Sequence, residues 1–363
     1  MECTICYNKI EEGAGYNKWR CAHIFHKKCI IDWNTSCPVC RCDDRNYENI
    51  ENKEYIETYG EISDFRGHTD GVNCLCAQAH NNKLFSGSDD KTIRVWNTET
   101  YEEIATLRGH TSYVMCLCAQ AHKNKLFSGS CDIRVWNTET YEEITTLRGH
   151  TSPIICFALH NNKLFSGSYD QTIHVWNTET YEQIATLEGH TGPVLCFALH
   201  DNKLFSGSMY ETNIRIWNTE TYEQIATLKS HTISEGALRE HDSNVVVRCL
   251  THHGNKLYSG GGGGNFRIWN TETYEQISNT YPHKDRLGFG CSVHCLTHFE
   301  NILVSADMDR IIRIWNIEIG EQIEVLRGHP GNIKCLIVHE NKLYSGLGNG
   351  TGSENNTIRV WKI

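Results

Sequence analysis

Residues 83–102 read Lys-Leu-Phe-Ser-Gly-Ser-Asp-Asp-Lys-Thr-Ile-Arg-Val-Trp-Asn-Thr-Glu-Thr-Tyr-Glu, two apolar alternations joined by a polar turn. Val, Ile, Leu and Phe at period two mark strands, and the polar interval between them marks a reversal of the chain. The pattern recurs: Trp96, Trp136, Trp176, Trp217, Trp269, Trp315 and Trp361 each close an alternation of the Ile93-Arg94-Val95-Trp96 kind. Their separations are 40, 40, 41, 52, 46 and 46 residues, the length of one four-stranded blade in a radial all-β array.

One blade can be laid out strand by strand: a from Val72 to Ala79, b from Lys83 to Ser88, c from Thr92 to Asn97, d from Glu103 to Arg108. Between successive tryptophans recur a Gly-His pair (Gly67-His68, Gly109-His110, Gly149-His150, Gly189-His190, Gly328-His329) and Lys-Leu-Phe-Ser-Gly-Ser or a relative of it. The stretch resembles a WD40 domain, with Asn in place of the signature Asp after every Trp that continues into a turn. The chain stops at Trp361-Lys362-Ile363, after a seventh c strand, while residues 58–68 align without gaps to residues 100–110. A d strand at 59–66 is therefore expected to pair with the last c strand and close seven blades, leaving no open sheet edge.

Upstream of the repeat, eight candidate metal ligands fall in the order Cys3, Cys6, Cys21, His23, His26, Cys29, Cys37, Cys40. Two Cys-x2-Cys pairs flank a central Cys-His-His-Cys group, which provides for two tetrahedral sites of sulfur and nitrogen, the geometry of structural zinc. A segment of about 40 residues is also near the lower limit for folding on an apolar core alone, so metal is expected to hold it together. Around the ligands, His23-Ile24-Phe25-His26, Cys29-Ile30-Ile31-Asp32-Trp33 and Cys37-Pro38-Val39-Cys40-Arg41 resemble a RING finger of the type with two central histidines. The resemblance implies interleaved ligation of two Zn2+: Cys3, Cys6, His26 and Cys29 on the first, Cys21, His23, Cys37 and Cys40 on the second. A PHD finger, with one central His followed by three Cys, does not fit the order; two independent zinc knuckles form the plainer alternative.

The organisation expected is a zinc RING domain over residues 1–42, an acidic linker over 43–58, and an all-β seven-bladed WD40 β-propeller over 59–363. The linker shows no sustained heptad and hence no coiled coil. A formal charge of -10 without clustered Lys and Arg argues against nucleic acid as partner. No apolar run approaches the roughly 20 residues that span a bilayer, and no signal segment precedes Cys3, so no membrane is expected. The 18 cysteines then belong to a soluble intracellular protein, of cytoplasm or nucleus, rather than to a disulfide scaffold. Seven of them, Cys74, Cys116, Cys156, Cys196, Cys249, Cys295 and Cys335, recur at one repeat position and read as small buried apolar side chains.

Other constellations have plain readings. By resemblance, a buried hydrogen-bond chain is expected in the first blade through Trp96, Ser86 or Ser88, His68 and Asp90, and in the third through Trp176, His150 and Asp170. A Ser-His-Asp set repeated between strands satisfies buried polar groups and is not a hydrolase. Gly260 to Gly264 precedes a strand, so it reads as a long b to c turn and not as a phosphate cradle. The repeat lengthens at 232–246 and 283–292, between d and a, and at 260–264 and 346–356, between b and c. Both kinds of turn emerge on one face, the top. Tyr113, Tyr169, Met209, Tyr210, Arg239, Lys284 and Arg286 are the candidate anchors for a substrate protein on that face.

RING finger resemblance further implies docking of a ubiquitin-conjugating enzyme on Ile5, Trp33 and Pro38, with Arg41 orienting the ubiquitin thioester, and no covalent ubiquitin intermediate on this chain. The two halves together resemble RING plus WD40 ubiquitin-protein ligases. The expectation is a transferase that brings a ubiquitin-charged conjugating enzyme to a substrate protein; the alternative is a non-catalytic, zinc-stabilised WD40 scaffold.

Overall fold

The chain divides into two units, Met1–Glu57 and Thr58–Ile363. The computed structural model describes residues 60–78, 81–229, 246–261, 266–280, 292–307, 310–348 and 356–363, all in the second unit. Those residues form seven antiparallel four-stranded sheets, each with its strands in the order a, b, c, d from the centre of the ring outward. In the first blade the strands are Val72–Gln78, Lys83–Ser88, Ile93–Asn97 and Glu103–Leu107, within a residue of the sequence expectation at each described end. Blade 7 takes its d strand from the other end of the repeat region: Gly60–Phe65 pairs with Ile358–Lys362, from Gly60 against Lys362 to Phe65 against Ile358. None of the helices among the described residues is long and apolar enough to cross a membrane.

The core is divided into seven clusters, one between each pair of adjacent blades. Alternation along strand b explains why. Phe85 points into the joint with blade 2, where it packs with Val95, Leu126 and Trp136. Leu84, on the opposite face of the same strand, packs with Trp96, Phe65 and Tyr344 in the joint with blade 7. Both are fully buried, because each sheet is covered on its two faces. A strand buried on both faces has to be continuously apolar rather than amphipathic, which is what Leu-Phe in the b strands of blades 1 to 4, Leu-Tyr in those of blades 5 and 7 and Leu-Val in that of blade 6 supply.

Small residues permit the blades to approach. A β-carbon on Gly87 would sit 2.6 Å from both Cys74 Sγ and Val114 Cγ1, an impossible separation. The same crowding recurs at Gly129, Gly167, Gly207, Gly260 and Gly346. Each cysteine beside these glycines points its thiol at a backbone carbonyl of the next blade, from Cys196 Sγ to Val247 O at 3.5 Å through to Cys335 Sγ to Val72 O at 3.9 Å across the closure. Burial pushes the Cys249 and Cys335 thiols up to about 12 and raises Cys74, Cys116, Cys156, Cys196 and Cys295 as well. These thiols are inert donors in a joint, not nucleophiles.

A second set of contacts clamps the blades at the opposite face. Lys83 donates to Thr138 O at 2.8 Å while its ammonium lies 4.8 Å from the centre of the Tyr141 ring. Lys125 treats Thr178 and Tyr181 likewise, Lys163 treats Thr219 and Tyr222, Lys203 treats Thr271 and Tyr274, and Lys342 treats Thr98 and Tyr101. All five tyrosines hold left-handed backbone, with φ between 62° and 65°. That conformation is unfavourable for a bulky residue, and the cation–π contact, of about 0.5–2 kcal/mol, offsets it. Blade 6 differs: Ile302 stands opposite Asn316 where the other blades have Lys, and Gly320, at φ 70°, stands where they have Tyr.

The Asn that follows each Trp also has a local cause. Asn97 Oδ1 accepts from the backbone N–H of Glu99 and Thr100 at 2.8 and 2.9 Å. The same two bonds recur at Asn137, Asn177, Asn218, Asn270 and Asn316. A side-chain oxygen is all this turn requires, so a neutral amide serves in place of Asp.

Candidate functional site

Every described indole N–H of the repeat is satisfied by a serine of strand b in the same blade. In blade 1, Trp96 Nε1 donates to Ser86 Oγ at 2.8 Å, and that hydroxyl meets His68 Nε2 at 2.7 Å. His68 Nδ1 lies 2.7 Å from Asp90 Oδ2. The carboxylate accepts from Nδ1–H, which leaves Nε2 to accept from the serine. Of the two serines weighed for this role, Ser86 takes it; Ser88 Oγ donates to Asp70 O at 3.0 Å instead. Blade 3 repeats the chain through Trp176, Ser166, His150 and Asp170, and blade 4 does so through Trp217, Ser206, His190 and Glu211. Blade 2 has a shorter b to c turn, Ser130-Cys131-Asp132, and its acid reaches His110 Nδ1 only at 3.3 Å. Ser86, Ser128, Ser166 and Ser206 are all fully buried, which rules them out as nucleophiles.

These networks tie stability to pH. Burial, and in turn the neighbouring His150, His200 or Arg248, lowers His174, His252 and His294 to about 4; burial and Arg359 lower His329 to about 3. Burial alone would raise Asp170 and Glu211, but hydrogen bonds from Thr172 and His150, and from His190, Thr191 and Arg215, hold both at about 2. Below an ordinary histidine value of about 6.5 the unfolded chain takes protons that the fold refuses, and below about 4.5 it does so again at the carboxylates. The histidine contribution is therefore complete above pH 6.5 and is lost as pH falls toward 4; the carboxylate contribution is lost between about 4.5 and 2. Urea midpoints measured from pH 7.5 to 3 are expected to fall in these two stages. A midpoint that is flat from pH 7 to 5 would contradict the first.

At the top face the structure builds a cavity of about 410 Å³ on the ring axis. Its wall is made by one residue from the a strand of each blade, or in blade 2 from just ahead of it, and the register shows why that residue points inward in the other six. Val72 pairs with Ser88 and Cys74 with Gly87, so Asn73 is the extra residue of a β-bulge. Ile155, Leu195, Arg248, His294 and Lys334 are bulge residues in the same way, and Met115 occupies the position in blade 2. Bulges of this kind re-aim a side chain; here they aim six at one point, and Met115, just ahead of the blade 2 strand Cys116–Gln120, joins them. Blades 2 to 4 contribute Met115, Ile155 and Leu195, an apolar arc, whereas blades 5 to 7 contribute Arg248, His294 and Lys334.

Two b to c turn residues, Tyr169 and Met209, complete the rim together with Asn332. Tyr169 N donates to Pro153 O at 3.0 Å and Met209 N to Pro193 O at 2.9 Å, fixing both turns to the adjoining d to a loops. Gly192 allows this approach, since a β-carbon there would lie 1.9 Å from Met209 O. Met209 further bridges to Val246 ahead of the fifth a strand.

Of the anchors expected on this face, Tyr169 and Met209 line the cavity. Tyr113 and Tyr210 are exposed, at 52% and 72%, and lie away from it. Arg239, Lys284 and Arg286 lie outside the described residues, as do the eight zinc ligands, Ile5, Trp33, Pro38, Arg41 and most of the lengthened turns. The glycine run ends strand b at Gly261, and strand c begins at Phe266. Sequence reading missed the inward ring, although a signal was present: the residue before each recurring Cys varies through Asn, Met, Ile, Leu, Arg, His and Lys while its neighbours stay constant.

A closed ring of seven such blades, each with a Trp-Ser pair beneath its c strand, is a β-propeller of the WD40 class. The WD domain, G-beta repeat family matches at residues 60–97, 101–137, 141–177, 181–218, 223–270, 282–316 and 320–362, and the chain belongs to it. The Ring finger domain family matches residues 1–41, giving the chain an N-terminal RING domain. Over that region the chain is 43% identical across 44 residues to E3 ubiquitin-protein ligase RHA2A of Arabidopsis thaliana, and 46% identical across 44 to the probable E3 ubiquitin-protein ligase XERICO of the same plant. It is 42% identical across 45 residues to E3 ubiquitin-protein ligase arkadia of Xenopus tropicalis. These matches take in 11%, 11% and 12% of this chain and only 28%, 27% and 5% of those proteins. The solved structure of U3-55K superposes with a TM-score of 0.73 at 18% identity, covering 84% of this chain and 98% of that one, a likeness of fold alone.

Proposed function

We infer that this chain is a RING-type ubiquitin-protein ligase: its RING recruits a ubiquitin-charged conjugating enzyme and its propeller holds a substrate protein at the channel mouth. The observation that carries the reading is the RING match over residues 1–41, at 42 to 46% identity to RING regions of E3 ligases, on a chain whose remainder is a binding ring. Six thiolates and two imidazoles within 38 residues are a donor set suited to zinc. Cys3, Cys6, His26 and Cys29 would hold one ion and Cys21, His23, Cys37 and Cys40 the other. Zinc supplies fold stability there, not bond making.

The transfer itself is aminolysis: a substrate lysine amine attacks the thioester carbonyl on the conjugating enzyme, an amide forms and the enzyme's thiolate leaves. Ile5, Trp33 and Pro38 form the apolar platform for that enzyme, and Arg41 restrains the thioester in an attackable pose, catalysis by orientation. No cysteine of this chain needs to carry ubiquitin, in keeping with the raised thiols of the propeller.

The test is incubation of the full chain with ubiquitin, activating enzyme, a panel of conjugating enzymes and ATP. Ubiquitin chains are expected with at least one member of the panel, and Trp33→Ala is expected to remove them while leaving the zinc content unchanged. If no conjugating enzyme supports chain formation, and Trp33→Ala alters no binding to any of them, the chain is a zinc-stabilised scaffold instead.

A further inference from the structure

The face of the ring that carries the lysine clamps holds a second cavity, of about 730 Å³, where the a to b turns of blades 2 and 3 meet. A step in turn length opens it. Cys74 and Lys83 are nine positions apart, as are Cys116 and Lys125, whereas Cys156 and Lys163 are only seven apart. The long turn of blade 2 reaches over blade 1: Gln78 Nε2 donates to Ala121 O at 3.4 Å, and Gln78 is left 1% exposed. The turn of blade 3, Asn161-Asn162, is too short to cover the equivalent Gln120 in this way. The space that remains is lined by Ala119, Ala121 and Leu159, by Gln120 and His122, and by the two asparagines.

Gln120 is 3% exposed, and its Nε2 donates to Thr178 Oγ1 at 3.3 Å while its Oε1 accepts nothing. Gln78 Oε1 is unpaired as well, but only Gln120 lines a cavity that a ligand can enter. A buried acceptor without a donor costs stability, which a donor brought in from outside would recover. The charge on this face favours a cationic donor. The c to d turns of blades 1 to 6 each present two exposed glutamates, among them Glu139 and Glu142 of blade 2 and Glu179 and Glu182 of blade 3. The cations of the face are already engaged: Lys123 Nζ meets Asn162 Oδ1 at 2.9 Å and pairs with Glu179, and five of the strand b lysines lie on tyrosine rings. A face with carboxylates in excess concentrates basic groups from solution.

We propose that this cavity receives a lysine side chain from a basic segment of a partner protein: the ammonium donates to Gln120 Oε1, the methylenes lie on Ala119, Ala121 and Leu159, and the flanking basic residues face the glutamates of the c to d turns. Lysine suits the cavity because its head only donates and its long stem packs on apolar surface. A serine hydroxyl could meet the same oxygen, but it would gain nothing from the acidic surroundings, and an acidic segment would be repelled by them. The inference does not depend on the ligase reading, since a scaffold would use the same face.

The probe is a library of fluorescein-labelled heptapeptides Ser-Lys-X-Lys-X-Lys-Ser, with X drawn from Ala, Gly, Ser and Thr, and a parallel library with Met in place of the central Lys, which keeps the stem and removes the charge. Fluorescence polarisation with the full chain is expected to give binding at least about tenfold tighter for the central Lys than for Met, the size of one charge-assisted hydrogen bond. Both libraries should bind less tightly as salt is raised, because the glutamates are exposed. Gln120→Leu, which keeps the bulk and removes the oxygen, should reduce the preference for Lys below about twofold. Ala121→Phe fills the cavity and leaves Gln120 in place; it should weaken the Lys library at least about tenfold, and it carries the test if Gln120→Leu lowers the melting midpoint. No binding by either library, equal binding of Lys and Met, an undiminished preference in a folded Gln120→Leu, or unchanged binding in Ala121→Phe overturns the proposal. Spermine that displaces the labelled peptide at lower concentration than the unlabelled peptide does would assign the cavity to a free polyamine and overturn it too.

Discussion

Replacing Cys29 with serine (C29S) is expected to abolish ubiquitin chain formation entirely, down to the level seen without the protein. Serine has the volume of cysteine but a neutral hydroxyl in place of a thiolate, and a tetrahedral zinc site missing one charged ligand binds weakly. In a segment of about 40 residues the metal is the core, and binding free energies on the order of 10–16 kcal/mol for structural zinc are folding free energies. The loss should therefore be all or none rather than graded, and a chelator strong enough to strip both ions should reproduce it. Zinc content by atomic absorption should fall with activity, while the thermal transition of the propeller stays in place, since its described residues include no group of His, Cys, Asp and Glu that could hold a metal. Full activity and full zinc content in C29S would remove the ligand assignment.

The second large effect is expected at Ser166. Its hydroxyl is fully buried, accepts from Trp176 Nε1 at 2.8 Å and meets His150 Nε2 at 2.8 Å, and His150 is in turn held by Asp170 at 2.7 Å. Ser166→Ala removes one oxygen and strands two buried groups, at about 1–3 kcal/mol each, so a loss of roughly 2–4 kcal/mol is expected from the urea midpoint of the propeller. The methyl fits the space, which makes the penalty one of hydrogen bonding and not of packing. Water that entered the site could rescue the indole, but a position sealed between strands has no room for it. A change below about 0.5 kcal/mol would show that the Trp-Ser-His chain contributes specificity of fold and little stability.

The seven blades were legible because each repeat carries its own strand periods and turn residues, and because equal spacing demands equal units. Residues 58–68 even disclosed the closure, since only a strand matching residues 100–110 can complete a blade that lacks its fourth. The mouth of the ring was harder to read. Aromatic and arginine side chains on the top turns were the obvious anchors, and Tyr169 does reach the rim, but Tyr210 points to solvent on a turn with φ of 65°. The inward ring depends on bulges, which are properties of strand pairing and leave no mark on a single strand. Asn73, Arg248 and His294 look like exposed polar positions of half-buried strands until the register shows that each is the unpaired extra residue. The choice between Ser86 and Ser88 was open for a like reason: both lie on one side of strand b, and only the position of His68 decides.

Blade 6 gives the ring a mechanical polarity. Five of the seven joints are clamped by a lysine laid on the tyrosine of the following blade, but Ile302 withholds the lysine that blade 6 would give to blade 7, and Gly320 withholds the ring that Lys256 of blade 5 would meet. A closed ring resists deformation as a hoop does, and a hoop yields where two weak joints are adjacent, because the segment between them can rotate as a unit. That segment carries His294, whereas Arg248 stands on blade 5, whose joint with blade 4 is clamped by Lys203 on Tyr274.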